Sequence, residues 1–220
     1  MNNIIIFGAS GHAKVIIDII QKENKYKIIG LLDPAFKVND KIAGYPILGE
    51  DKDISELYKK HSLMGAIVAI GDNFIRSKVV AKIKKKSPNL TFISAIHPNS
   101  SIGIEVFIGE GTVIMSGVSI NSSTSIGHFC ILNTNSSLDH DSTLENFTSI
   151  APGVKTGSNC YIEEYSSINI GATLINGIHI GKQSIIGASS LILKSVNSFS
   201  VVYGVPAKFI RTRKEGEKYF

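Results

Sequence analysis

The chain predicts two parts in series: an α/β domain over residues 1–95 and a parallel β-helix of hexapeptide repeats over residues 96–220. Three observations predict this. From Ile102 to Ile192 every sixth residue is Ile or Leu, with Thr156 the single interruption. A second column, four residues after the first and running from Val106 to Ser190, holds nearly all small residues, among them Thr112, Cys130, Ser136 and Ala172. Before residue 95, apolar runs that end in glycine or Asp-Pro alternate with stretches of helical spacing, the βαβ pattern.

A six-residue period matches neither the 3.6 of a helix nor the two of an open strand. One large and one small inward residue per hexapeptide, with three hexapeptides per triangular coil, is the pattern of a β-helix, and residues 102–192 make five coils. The position after the large residue is often Gly or Asn (Gly103, Gly109, Asn121, Gly127, Asn133, Asn169, Gly181, Gly187). That predicts a bend there, with positive φ or side chains capping the backbone.

In the first domain, Ile4 to Phe7 is a continuous apolar run closed by Gly8, and Val15, Ile16, Ile19 and Ile20 recur at helical spacing between His12 and Gln21. A second strand over 27–32 ends at Asp33-Pro34, and a third over 66–70 ends at Gly71-Asp72-Asn73. Helices over 54–60 and 74–86 complete a Rossmann-like order. In such sheets ligands collect at the carboxyl ends of the strands, so Gly8 to His12, Asp33 and Gly71 to Asn73 share one rim. A three-glycine dinucleotide fingerprint fails at Ser10 and Ala13, which argues against a nicotinamide dehydrogenase. The helix N-terminus still favours a phosphate or carbonyl oxygen. The rim is a candidate nucleotide or sugar site, set against the plainer alternative of a structural glycine turn.

The join carries His97-Pro98-Asn99, where proline marks the passage into the solenoid and His97 reads as structural. Cys130 and Cys160 both fall in the small column, and the interval between them is not a whole number of coils. They are expected as reduced packing residues on different faces of the prism. The formal charge is +5, with Lys82, Lys84, Lys85, Lys86, Arg211, Arg213 and Lys214 prominent. A solvated helix face accounts for the lysines; the functional alternative is attraction of phosphorylated small molecules. No aromatic residues interleave them, which disfavours nucleic acid. The initial apolar run is too short for a signal peptide or a membrane span, so the expected location is cytoplasmic.

A Gly8-Ala9-Ser10-Gly11-His12 turn opening a small βαβ domain, a hexapeptide column carrying His140-Asp141, and the closing Tyr203-Gly204-Val205-Pro206-Ala207-Lys208 occur together. In this the chain resembles the bacterial nucleotide-sugar acetyltransferases that modify bacillosamine or perosamine precursors, with the related sialic acid O-acetyltransferases. The resemblance covers nearly the whole chain. It implies a left-handed β-helix and a homotrimer with acetyl-CoA bound between neighbouring solenoids. It also implies that the N-terminal domain holds a nucleotide-linked amino sugar. By the same resemblance His140 is the base and Asp141 the acidic residue that strengthens it. Ser10, Gly11, His12, Asp33, Pro34 and Gly71, with Asn73 on the same rim, hold the sugar nucleotide. On the coenzyme side it implies Asn133, Ser149, Gly157, Ser158, Ile170 and Ala188. Ser149 departs from the usual histidine, and Ser158 and Ala188 from the usual glycine.

Acetyl transfer to an amine needs a neutral nucleophile, a polarised thioester carbonyl and alignment of the two. An imidazole with an ordinary pKa near 6.5 suits the first, and backbone N–H groups near Gly157 and Ser158 suit the second. No cysteine or serine stands beside a base, so direct attack is expected without an acyl-enzyme. Against this, His140 lies outside both inward columns and is also readable as a surface histidine. Three alternatives remain: a sialic acid O-acetyltransferase, a zinc carbonic anhydrase on the same solenoid, and a non-catalytic scaffold. His97, His128, His140 and His179 contain no pair at close ligand spacing, so no metal is expected.

Overall fold

The computed structural model describes residues 1–218; Tyr219 and Phe220, part of the predicted second domain, lie outside the described residues. The chain divides into two compact units, Met1–Pro98 and the remainder from Asn99.

The first unit runs β1 (Asn2–Phe7), α1 (Gly11–Glu23), β2 (Tyr26–Leu32), β3 (Lys41–Ile42), β4 (Tyr45–Gly49), α2 (Ile54–Lys60), β5 (Gly65–Val68), α3 (Asn73–Lys86) and β6 (Thr91–Phe92). Its sheet has the order β3-β4-β2-β1-β5-β6. Every pairing is parallel except β3 with β4. Ile4, Ile5, Ile6 and Phe7 are wholly buried, as a central parallel strand covered on both faces requires. Ile16, Ile17, Ile19 and Ile20 bury one side of α1. The expected strands and helices are present, with one shortened: the third strand stops at Val68, and residues 69–70 belong to the loop. The β3–β4 hairpin and β6 go beyond the sequence reading because their apolar runs are too short to show a period.

The second unit is a triangular prism of two-residue strands on three faces. The first face stacks Val113–Ile114, Ile131–Leu132, Ser149–Ile150, Ser167–Ile168 and Ile185–Ile186. The second runs from Ser101–Ile102 through Ser137–Leu138 to Leu191–Ile192, and the third from Phe107–Ile108 through Thr143–Leu144 to His179–Ile180. Each strand pairs in parallel with its equivalent in the next coil, for example Ser119 with Ser137. Most of the aliphatic column is buried, Ile126, Leu132, Ile150 and Ile168 at 0% exposure.

The corners correct one expectation. Positive φ falls three residues after the column residue, at Glu105 (58°), Asp141 (56°), Asn159 (56°) and Ser189 (54°) among others, and never at the glycines directly after the column. Those glycines answer a different demand. A Cβ on Gly109 would stand 2.6 Å from the carbonyl carbon of Gly127, and one on Gly103 2.7 Å from the Ser122 nitrogen. They are small because the next coil's backbone passes there. Where asparagine takes the position it caps, as Asn133 Nδ2 donates to the Ile150 carbonyl at 3.0 Å.

The small column turns out to be hydrogen-bonded. Thr112 Oγ1 accepts from the Cys130 N–H (3.1 Å) and donates to the Gly127 carbonyl (2.9 Å); Ser166 Oγ does the same for Ser184 N–H (3.0 Å) and the Gly181 carbonyl (2.8 Å). Buried backbone groups that the turn leaves unpaired are thus satisfied from inside. Cys130 and Cys160 are buried free thiols at the entries to the first and third faces. Phe129, Phe147 and Tyr165, at equivalent places in successive coils, stack with ring centroids 5.1 and 5.5 Å apart. The segment Tyr203–Lys208 forms the tip of a hairpin between Ser200–Gly204 and Ala207–Thr212.

The two classes of glycine predict different costs. Gly153 has φ +69 but nothing within 4 Å of where a Cβ would stand, whereas Gly109 has ordinary φ and no room. Urea unfolding is expected to show Gly109→Ala destabilised by about 1–3 kcal/mol and Gly153→Asn by less than about 1 kcal/mol. The reverse order would mean that φ, and not contact with the next coil, selects these glycines.

Candidate active site

His140 sits at the corner between the second and third faces, as the first residue of a two-residue turn whose second residue, Asp141, is left-handed at φ 56°. The turn brings the Asp141 carboxylate back onto the ring: His140 Nδ1 and Asp141 Oδ2 are 2.6 Å apart. Both side chains are about half exposed (53% and 55%). The hydrogen bond to Asp141 raises the imidazole pKa above 6.5; partial desolvation opposes it, and the charges of Asp139 and Asp141 reinforce it.

The sequence reading missed Asp139 and its partners. Asp139 Oδ1 accepts from Asn121 Nδ2 at 2.7 Å and from the His140 N–H at 2.9 Å. These two bonds hold its pKa below the ordinary carboxylate value, the Asn121 bond foremost. The sequence signal for it is the triplet Asp139-His140-Asp141, which flanks the histidine with two carboxylates.

One coil further, Gly157 and Ser158 occupy the same corner. The Gly157 N–H is taken by the Leu174 carbonyl at 2.9 Å, which corrects its expected role as a carbonyl-polarising donor. The Ser158 N–H donates to nothing among the described residues, while its carbonyl accepts from Gly177. Ser158 is therefore the free amide, about 4.8 Å along the axis from the His140 position.

The other predicted coenzyme residues fall elsewhere on the prism. Asn133, Ile170 and Ala188 lie at the corner between the first and second faces, and Ser149 within a first-face strand, buried. Ile170 is 60% exposed, an apolar side chain turned to solvent. A single chain thus places His140 and Ser158 at one corner and Asn133, Ile170 and Ala188 at the next. A cavity of about 770 Å³ opens beyond them, lined by Ile192, Leu193, Val202, Pro206 and Phe209 among others.

In the first unit a cavity of about 350 Å³ is lined by Ser10, Asp33, Pro34 and Gly71, together with Gly8, Asp51 and Ile75. Asp33 is tied to the rim by both oxygens, Oδ2 accepting from Ala9 N–H and Oδ1 from Ala35 N–H, each at 2.8 Å. A Cβ on Gly11 or Gly71 would meet nothing within 4 Å, so neither glycine is required by packing. Asn73 is buried and its Oδ1 accepts from Arg76 Nη2 at 2.7 Å; Arg76 also donates to the Ile70 and Gly71 carbonyls. His12 Nε2 is buried without a hydrogen-bond partner among the described residues. Burial, then the Arg76 charge, lowers the His12 pKa to about 4.

Among the described residues no three His, Cys, Asp or Glu side chains gather as a metal site, and no helix is long and apolar enough to cross a membrane. A second histidine–carboxylate pair, His179 Nε2 with Glu163 Oε1 at 2.7 Å, lies on the third face, its carboxylate also accepting from Lys182 N–H.

Residues 3–83 match the PglD N-terminal domain. The chain is 29% identical over 194 residues to GDP-perosamine N-acetyltransferase of Escherichia coli, spanning 86% of this chain and 84% of that one. Among solved structures it is similar to perosamine N-acetyltransferase of Caulobacter crescentus, in a variant with one histidine replaced by asparagine, in complex with CoA and GDP-perosamine. The TM-score is 0.90 at 29% identity, covering 96% of this chain and 98% of that one. It is also similar to the acetyltransferase domain of PglB from Neisseria gonorrhoeae in complex with acetyl coenzyme A, with a TM-score of 0.88 at 26% identity, covering 96% and 100%. With an α/β domain, a β-helix and an exposed His–Asp turn, the molecule is a hexapeptide-repeat acetyltransferase. Residues 3–83 carry the likeness to the PglD N-terminal domain, and nearly the whole chain is similar to perosamine N-acetyltransferases.

The His12 environment gives a direct test. Because the folded state resists protonation there, stability present above pH 6.5 declines as pH falls towards 4, by up to about 3 kcal/mol. NMR of histidine-labelled protein is expected to show the His12 ring unchanged from pH 8 to pH 5; a midpoint near 6.5 would show the ring to be solvated and free of the Arg76 field.

Proposed function

We propose that the protein transfers the acetyl group of acetyl-CoA to the amino group of a nucleotide-linked 4-amino-4,6-dideoxy sugar, in bacterial surface-glycan synthesis in the cytoplasm. Residues 1–95 serve as the sugar-nucleotide module and residues 96–220 as the transferase module. The observation that carries the reading is the His140–Asp141 pair at 2.6 Å on an exposed turn, with the unpaired Ser158 N–H one coil away. The relatives' complexes with CoA, acetyl coenzyme A and GDP-perosamine support the choice of substrates. The histidine substitution in one of them supports a histidine at the reacting centre.

In this reading the amine lone pair attacks the thioester carbonyl carbon. The oxyanion that forms is met by the Ser158 N–H, a kind of contact worth about 2.7–4 kcal/mol when aimed at the developing charge. Collapse expels the coenzyme thiolate. Neutral His140 takes the proton released by the amine through Nε2 and passes it to the thiolate, while Asp141 on Nδ1 fixes the tautomer and stabilises the imidazolium. No covalent acyl-enzyme is formed, since both thiols are buried in the prism.

The coenzyme lies between neighbouring copies of a homotrimer. The split of the site across two corners supports this: one chain's Asn133, Ile170 and Ala188 meet the next chain's His140 and Ser158. Exposed Ile170 and the cavity beyond Leu193 offer apolar surface to the pantetheine arm and the adenosine end. In the first unit the open space over Gly11 and Gly71 receives the nucleotide diphosphate at the N-terminus of α1.

Thiol release from acetyl-CoA tests the assignment. Turnover is expected with UDP-, dTDP- or GDP-linked 4-amino sugars and not with free or cytidine-linked sialic acid; the opposite preference would make the protein an O-acetyltransferase. His140→Ala is expected to retain the fold and lose about 10²–10⁴ in kcat, while His179→Ala stays within about threefold of wild type. Because the raised His140 pKa must be exceeded for the ring to act as base, kcat/KM should climb through a midpoint above pH 6.5. Asp141→Asn should move that limb to lower pH.

A further inference from the structure

We propose that Asp139 is a positioning residue for His140, holding the backbone of the catalytic turn and adding a second negative charge that sets the proton affinity of the imidazole. This rests on the acetyl-transfer reading for its functional consequence, but the geometry stands alone. Asp139 is held at its N–H, its carbonyl and one carboxylate oxygen. Its N–H donates to Thr156 Oγ1 (3.3 Å), its carbonyl accepts from Thr124 Oγ1 (3.2 Å), and its Oδ1 accepts from Asn121 Nδ2 (2.7 Å) and the His140 N–H (2.9 Å). Thr156 is the one interruption in the aliphatic column. The break in the hydrophobic repeat thus supplies the hydroxyl that pins the residue preceding the base.

A turn of this kind is otherwise held by a single backbone bond to each adjacent coil: Asp141 N–H to the Ser122 carbonyl, and Asn159 N–H to the His140 carbonyl. The additional side-chain bonds converge on Asp139 from the coils on both sides. They fix the peptide between Asp139 and His140, and with it the direction in which the ring leaves the corner. The flanking coils present Ser122 and Ser123 on one side and Ser158 and Asn159 on the other, none of them charged. The charges that raise the His140 pKa are Asp139 and Asp141. The Cys160 thiol near Asp139 is held protonated by burial. Asp141 makes the direct bond to the ring; Asp139, whose Oδ1 accepts from the Asn121 amide and the His140 N–H, acts on the ring through its field.

Two substitutions separate the field from the clamp. Asp139→Asn keeps an oxygen acceptor for the His140 N–H and removes the charge. Histidine-selective NMR should show the His140 titration moved to lower pH, with the acid limb of kcat/KM following it. Asn121→Ala keeps the charge and loosens the carboxylate; kcat should fall roughly tenfold from misalignment, with the His140 titration unmoved. A His140 titration in Asp139→Asn that coincides with wild type overturns the proposal, as does wild-type kcat in Asn121→Ala. The titration needs no turnover, so an enzyme inactive on every amino sugar would sink the acetyl-transfer reading while leaving the electrostatic result intact.

Discussion

Closure of each coil in three hexapeptides is the constraint on which the second unit depends. Three buried aliphatic side chains hold the faces apart, and three left-handed residues turn the corners. Since each strand must pair with its equivalent one coil on, no corner can drift. The backbone is therefore fixed without help from the corner side chains, and these are free to carry chemistry. Left-handed φ disfavours most side chains, yet Phe129, Phe147, Tyr165 and Asp141 all accept it. The stacked coils above and below over-determine the turn. At Asp141 this conformation is what folds the carboxylate back onto the preceding imidazole.

The charge is divided between the two units as unevenly as the structure. Residues 1–98 contain 15 Lys and Arg against 9 Asp and Glu, whereas the remainder contains 8 against 9. The positive net charge of the chain is thus a property of its first unit. A basic module attracts anionic ligands. The solvated-face explanation of Lys84, Lys85 and Lys86 also holds, since all three are exposed in the last turn of α3, where they complement the helix dipole.

The aliphatic column made the β-helix legible, because a period of six with one break has no other structural source. The strand–turn–helix order of the first unit was legible for the same reason, from runs long enough to show a period. His140 and Asp141 were legible as a motif, and their contact follows from adjacency. The structure was needed for whatever depends on contacts between coils. Asn121, Thr124 and Thr156 stand about one coil away from Asp139 along the chain and reach it only once the register is known. The glycines after the column looked like bends because glycine usually marks positive φ; here they mark a neighbour's backbone. Whether Gly157 or Ser158 offers a free amide is likewise set by the ladder partner, Leu174, and by no feature of the local sequence.

The regular stacking has a metric consequence. Every residue at a given corner is displaced from its equivalent in the next coil by one strand spacing, about 4.8 Å. The prism is a ruler with fixed graduations. A gain or loss of chain along it is tolerated only in whole coils, or as a bulge thrown outward at a corner, because any other change would turn the aliphatic column to the outside. The interval between His140 and the Ser158 amide is then a quantised length, which point substitution cannot adjust. Divergence within such a scaffold changes which side chain stands at each graduation, while the graduations stay in place.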